Sequence, residues 1–167
     1  RLTTIKRPDR LLDTAAEIKA RNLPVKFIVA GEGDLFEKTK SEAAARELPV
    51  TFLGWRKDIA ALFAASDIAI LTSDNEGIPL TLIQAAQAAL PIVATDVGSI
   101  SDIVVHEVNG YLVDTEPAAL ADALQKLAID PVLREIMGKA GRERATRYFS
   151  LEKMCGDHTE LYQLLHR

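Results

Sequence analysis

The chain has 167 residues, with 20 Lys and Arg against 24 Asp and Glu, a formal charge of -4 and a pI near 5.4. That balance argues against an electrostatic binder of nucleic acid or anionic membrane. Hydrophobic residues make up 48% of the chain, enough for one sizeable core, and Cys155 stands alone, so no intrachain disulfide is possible and the setting reads as cytosolic. There is no apolar run of about 18 residues and no signal peptide, which argues against a transmembrane segment.

Short β-branched runs alternate with longer stretches of helical period, the pattern of a parallel sheet with crossover helices on its faces. Six strands are expected: a truncated one at Leu2–Thr4, then Val25–Ala30, Val50–Leu53, Asp67–Thr72, Pro91–Thr95 and Tyr111–Val113. The runs at 50–53, 67–72 and 91–95 are nearly continuously apolar and are expected to be central. A helix is expected from Pro8 to about Arg21, with Leu11, Leu12, Ala15 and Ile18 on one face; others follow at 35–47 and 58–65. Pro79 opens a further helix, LTLIQAAQAAL, apolar almost all round and expected to be buried. Three helical stretches end the chain, Pro117–Ile129, Pro131–Arg147 and Leu151–His166, and form a cap over residues 117–167. The opening at Arg1, inside an element, suggests a piece of a longer protein.

Ligands of such sheets gather outside the carboxyl ends of the strands, so the loops there are the ones to search. After the second strand stands Gly31-Glu32-Gly33-Asp34. Phe36 replaces the last Gly of a dinucleotide fingerprint, which disfavours an NAD site and leaves a tight turn or a ligand contact. After the fourth strand stands Ser73-Asp74-Asn75-Glu76-Gly77-Ile78-Pro79. A helix start offers free N–H groups to an anion, and Gly77 allows close approach; Glu76 would repel phosphate but accept hydrogen bonds from hydroxyls. The combination suits a ligand that is both phosphate and polyol, such as a sugar nucleotide. The alternative is that Asp74, Asn75 and Glu76 only cap the helix. Gln84 is polar on an apolar helix and either bonds to protein groups or faces the ligand. The loop Thr95–Ile100, containing Gly98, could line the same crevice. His106, His158 and His166 lack metal-ligand spacing and no Asp-x-Asp occurs, so no metal and no cofactor is expected.

The string EGIPLTLIQAAQAALPIVATDVGSISDIV resembles the signature of glycosyltransferase family 4, in which Glu, seven residues and Glu precede a PVVAT-like strand and a TDVGG loop. GEGDLFEK resembles the family's GDGPLRE segment, TFLGWRKDIAALFAASDIAIL its FLGWRDDVPALLAAADVFVLPS segment, and Arg1-Leu2 through Lys6 its Arg-Leu, three residues, Lys element. The resemblance covers nearly the whole chain. It implies a Rossmann-like α/β domain, the carboxyl-terminal half of the two-domain GT-B architecture, with residues 1–167 binding the donor and an amino-terminal acceptor domain lying before Arg1.

The resemblance also implies roles. Arg1 and Lys6 match the basic pair on the donor diphosphate, and Glu76 matches the first Glu, beside the donor sugar. Gly77, Ile78, Pro79 and Leu80 match the backbone that contacts sugar and phosphate, while Gly31 and Gly33 fall in the glycine-rich donor loop. Gly54, Trp55 and Arg56 lie where the family's chain passes the nucleobase, although Trp55 could instead pack on a helix. Gln84 departs from the second Glu, which bonds the ribose; an amide keeps one such bond at a cost of about 1 kcal/mol. Ser99 replaces the second Gly of the GG pair, and Asp102 takes the place of the acidic residue beyond it. The implied activity is retaining transfer of a sugar from a nucleoside diphosphate of UDP or GDP type to a sugar or glycolipid acceptor. The implied location is cytoplasmic, with any membrane contact left to the other domain. A non-catalytic binding or scaffold relative and a sugar-nucleotide epimerase remain as alternatives.

Overall fold

A computed structural model of the chain describes residues 1–165. Five parallel strands occur among them: β1 (Phe27–Ala30), β2 (Val50–Gly54), β3 (Ala69–Leu71), β4 (Ile92–Thr95) and β5 (Gly110–Val113). Helices alternate with the strands: α1 (Pro8–Ala20), α2 (Phe36–Ala45), α3 (Ile59–Ala64) and α4 (Leu80–Gln87), with α5 (Pro117–Ile129), α6 (Pro131–Tyr148) and α7 (Leu151–Leu165) at the end. Proline opens α1, α5 and α6, where the missing N–H costs no helical bond. The Asp130 carboxylate caps α6 by accepting from the Leu133 N–H at 2.9 Å. His166, expected in the last helix, lies outside the described residues.

The expected six-stranded sheet is instead two sheets, β1–β2 and β3–β4–β5. Leu2–Thr4, expected as a strand, forms no ladder. The Leu2 N–H donates to the Glu32 carbonyl at 3.0 Å and the Leu2 carbonyl accepts from the Leu35 N–H at 3.1 Å, so both groups are spent on the turn after β1. The chain then tightens into a 3-10 turn, Thr4–Lys6, and meets the loop after β3, where the Asp74 N–H donates to the Ile5 carbonyl at 2.9 Å. This segment therefore bridges the carboxyl ends of the two sheets.

Of the three strands expected to be central, only β4 is. Its four residues are all buried, whereas β2 and β3 lie at sheet edges and are half-buried. β4 alternates its faces, as a strand covered on both sides must. Val93 joins a core with Ile18, Phe27, Leu120, Leu124, Leu127 and Met137, while Ile92 and Ala94 join another with Leu82, Ile83, Ile100, Ile103 and Val104. Each large aliphatic side chain buried this way contributes about 2 kcal/mol relative to exposure. α5 and α6 thus belong to the core rather than to an added cap. α7 buries none of its residues.

α4 corrects another expectation. Leu82, Ile83, Ala85 and Ala86 are buried, but Leu80, Thr81, Gln84 and Gln87 face solvent. Its inner face packs on α6, where Gly138 leaves no room for a Cβ beside the Ala89 carbonyl.

Candidate functional site

The carboxyl ends of β3 and β4 carry the most developed polar cluster. Glu76 Oε1 accepts from the Lys6 ammonium at 2.5 Å and from the Ser73 hydroxyl at 2.6 Å, and the Glu76 side chain is only 8% exposed. Thr95, the last residue of β4, is buried and donates to the Ser73 carbonyl at 2.7 Å, fixing the loop to the sheet. The Ser99 N–H donates to the Glu76 carbonyl at 3.1 Å, so the loop after β4 packs against the loop that carries Glu76.

Asp74, Asn75 and Glu76 do not cap α4. Pro79 is its N-cap residue, and among the described residues no side chain caps its first turn. The helix start is left open beside Gly77, which is exposed and has nothing within 4 Å of a built Cβ. Packing within the domain therefore does not require glycine at 77. Pro79 is buried and anchors the segment, whereas Ile78 is 55% and Leu80 71% exposed. Gln84 is exposed on the same side as Leu80, one turn on, and not within an apolar face.

The remaining candidates gather at the ends of β1 and β2. The Gly31 N–H donates to the Gly54 carbonyl at 2.7 Å, and both glycines have positive φ (128° and 65°). Arg1 is exposed, its backbone nitrogen 3.9 Å from a Cβ built on Gly31. Gly33 is structural: a Cβ there would run into the Leu2 backbone. Trp55 stands largely in solvent. The residue is 62% exposed, with the Lys57 ammonium 5.3 Å from the ring centre. Arg56 is held by Asp58 through two bonds of 2.8 and 2.6 Å, which keep the Asp58 carboxyl below the usual carboxylate range.

Sequence reading missed the basic residues behind Lys6. Arg10 in α1 is buried and donates to the Thr72 carbonyl at 2.6 Å and to Asp74 at 2.7 Å. Arg7 adopts a left-handed conformation (φ 48°) and bonds both Asp9 and Asp74. The sequence signal of Arg10 is faint: an arginine one position ahead of the Leu11, Leu12 pair looks like a solvated helix residue. A hollow of about 290 Å³ between α1 and α2 is lined by Thr4, Pro8, Leu12, Leu35 and Thr39, and Glu76, Gly77 and Trp55 do not border it. The candidate surface is open. Among the described residues no three His, Cys, Asp or Glu side chains gather as a metal ion would need, and no helix is long and apolar enough to cross a membrane.

The family model described as "Glycosyl transferases group 1" matches residues 1–144. The chain belongs to this family. It is 32% identical over 177 residues to a D-inositol 3-phosphate glycosyltransferase of Corynebacterium urealyticum, covering 99% of this chain and 42% of that protein. Its fold matches a sucrose-phosphate synthase of Thermosynechococcus elongatus with a TM-score of 0.89 at 26% identity, over 99% of this chain and 44% of the other. It also matches HepE of Anabaena in complex with UDP and glucose, with a TM-score of 0.88 at 25% identity, over 98% and 46%. The domain is thus Rossmann-like and of the GT-B type, and it spans less than half the length of these relatives.

Proposed function

We propose that this chain is the donor-binding domain, residues 1–167, of a retaining family 4 glycosyltransferase. The whole protein would move a sugar from a nucleoside diphosphate to a sugar or glycolipid acceptor, held by a second domain across the cleft. The observation that carries the reading is the Lys6–Glu76 pair, contributed by residues 70 apart in sequence, beside the open start of α4. The UDP and glucose complex of HepE supports it.

In this reading Lys6 and Arg1, with the free N–H groups of α4, neutralise charge that builds on the departing nucleotide; one such contact is worth about 3 kcal/mol in the transition state. Glu76, already an acceptor for Ser73 and Lys6, takes hydroxyls of the donor sugar. Gly77, Ile78, Pro79 and Leu80 offer backbone to sugar and phosphate, and Gln84 offers its amide to the ribose. Gly31, Gly54, Trp55 and Arg56 form the nucleobase end, where an exposed indole supplies a stacking face. The site works without a metal or cofactor, in the cytoplasm.

Titration calorimetry with UDP, GDP and ADP and their sugars tests the reading. Binding of one series, lost in Lys6→Met, supports it; a folded sample that binds none of them overturns it. Stereochemistry is read separately, from the anomer formed by the whole protein. Gln84 and Ser99 favour a second reading, a scaffold that binds donor without turnover, which product formation by the whole protein would eliminate.

A further inference from the structure

We propose that Arg10 is a positioning residue for the Lys6–Glu76 pair and acts through the loop that carries Glu76. The inference rests on the donor-binding reading for its purpose, but its geometry is testable without a donor. Arg10 is 5% exposed, and its guanidinium spans three consecutive residues: Nη1 donates to the Thr72 carbonyl at 2.6 Å and the Ser73 carbonyl at 3.3 Å, and Nη2 to Asp74 Oδ1 at 2.7 Å. A buried guanidinium is unfavourable unless its donors are used, and this fork uses them on two consecutive carbonyls and the carboxylate of the next residue. The middle residue of the three is Ser73, whose hydroxyl donates to Glu76.

Charge sorting gives the arrangement its consequence. Two adjacent cations, Lys6 and Arg7, face two nearby acids, Asp74 and Glu76. Arg7 takes Asp74 through bonds of 3.1 and 3.0 Å, and Lys6 takes Glu76. With Asp74 also claimed by Arg10, its carboxyl is held below the usual carboxylate range, first by Arg10 and then by Arg7. Without Arg10 the loop that carries Ser73 and Glu76 loses its anchor, and without Asp74 the neighbouring Arg7 loses one of its two acids and competes with Lys6 for Glu76, so either loss frees the Lys6 ammonium. Arg10 therefore keeps both the loop and the partner assignment in place from α1, without itself facing the crevice.

Amine acylation read by mass spectrometry at each lysine tests this in the full chain. In the wild type, Lys6 reacts more slowly than the exposed Lys139, because its amine is engaged by Glu76. Arg10→Met and Asp74→Ala should each raise the rate at Lys6 relative to Lys139 by about tenfold, the equivalent of losing one hydrogen bond to a charged group. Arg10→Lys, which retains one charged donor, should give a smaller rise. An unchanged ratio in both variants, with only a lower melting temperature, overturns the proposal and leaves Arg10 a general staple. Should Arg10→Met fail to fold, Asp74→Ala, at an exposed side chain, decides alone. UDP titration of the same variants should show about tenfold weaker binding. A wild type that binds no nucleotide would overturn the donor reading, while the Lys6 ratio would still decide the positioning role.

Discussion

A Cβ on Gly98 would fall on the Glu76 carbonyl oxygen, so the loops after β3 and β4 can lie together only with glycine between them. Gly98 also has φ 57°, in the left-handed region. Gly98→Ala therefore carries two penalties: about 1 to 2 kcal/mol for the conformation, and displacement of the segment that holds Glu76. Melting should fall by roughly 3 to 8 °C. If the crevice binds donor, nucleotide affinity should fall further than stability does. Alanine tolerated in both assays would mean the loops are not packed as described.

Stability should rise at Ala89. This residue sits in the left-handed region (φ 58°) just after α4, where the Leu90 N–H donates to the Ala85 carbonyl at 3.0 Å and the Ala89 N–H to the Ala86 carbonyl at 2.9 Å. That is the paired-bond helix ending in which glycine is favoured at the residue Ala89 occupies. Ala89→Gly removes the Cβ penalty and should stabilise the fold by about 1 kcal/mol, or roughly 2 to 4 °C in melting temperature. A neutral or lower melting temperature would show that the backbone bears no such strain.

Gln84→Glu separates donor binding from folding. Its side chain is exposed on the open face of α4, so the change should leave the melting temperature within about 1 °C. A carboxylate accepts hydroxyl hydrogen bonds more strongly than an amide, by about 1 kcal/mol, and donor affinity should improve roughly five- to tenfold. Unchanged affinity, measured by calorimetry, would place the ribose elsewhere.

Acid should loosen the Arg7–Asp9–Asp74–Arg10 network. Asp74, bonded first by Arg10, and Asp9, bonded first by Arg7, both have carboxyl pKa values held below the ordinary value. A depressed folded pKa gives stability that is fully present above the unfolded value of about 3.9 and is lost as pH falls through the folded one. Both side chains are partly exposed, at 44% and 56%, so the effect is small and salt-sensitive. Melting of the wild type should drop more steeply than that of Asp74→Asn between about pH 4 and pH 2. Parallel curves would count against the network.

Much of the fold was legible because it rests on local pattern. Pro8, Pro117 and Pro131 mark helix starts where they should, and the apolar runs expected at 25–30, 67–72 and 91–95 contain β1, β3 and β4. The candidate site was legible in part, since Glu76, Gly77 and Gly98 stand in loops whose position follows from the alternation of strand and helix. The burial of α4 was misread, because an apolar helix with two covered faces and one with an open side look alike in composition; Gln84 stands on that open side. Arg10 was missed because nothing local separates a buried arginine from a solvated one.

The order of elements, the acidic balance, the absence of paired cysteines and the family signature are properties of the sequence alone, since each depends on neighbours along the chain. Tertiary structure decided the rest. It divided the strands into two sheets, β1–β2 and β3–β4–β5. It also brought Lys6 to Glu76 and laid Arg10 along Thr72, Ser73 and Asp74. Contacts between residues more than 60 positions apart depend on how layers stack, and local propensity carries no record of that.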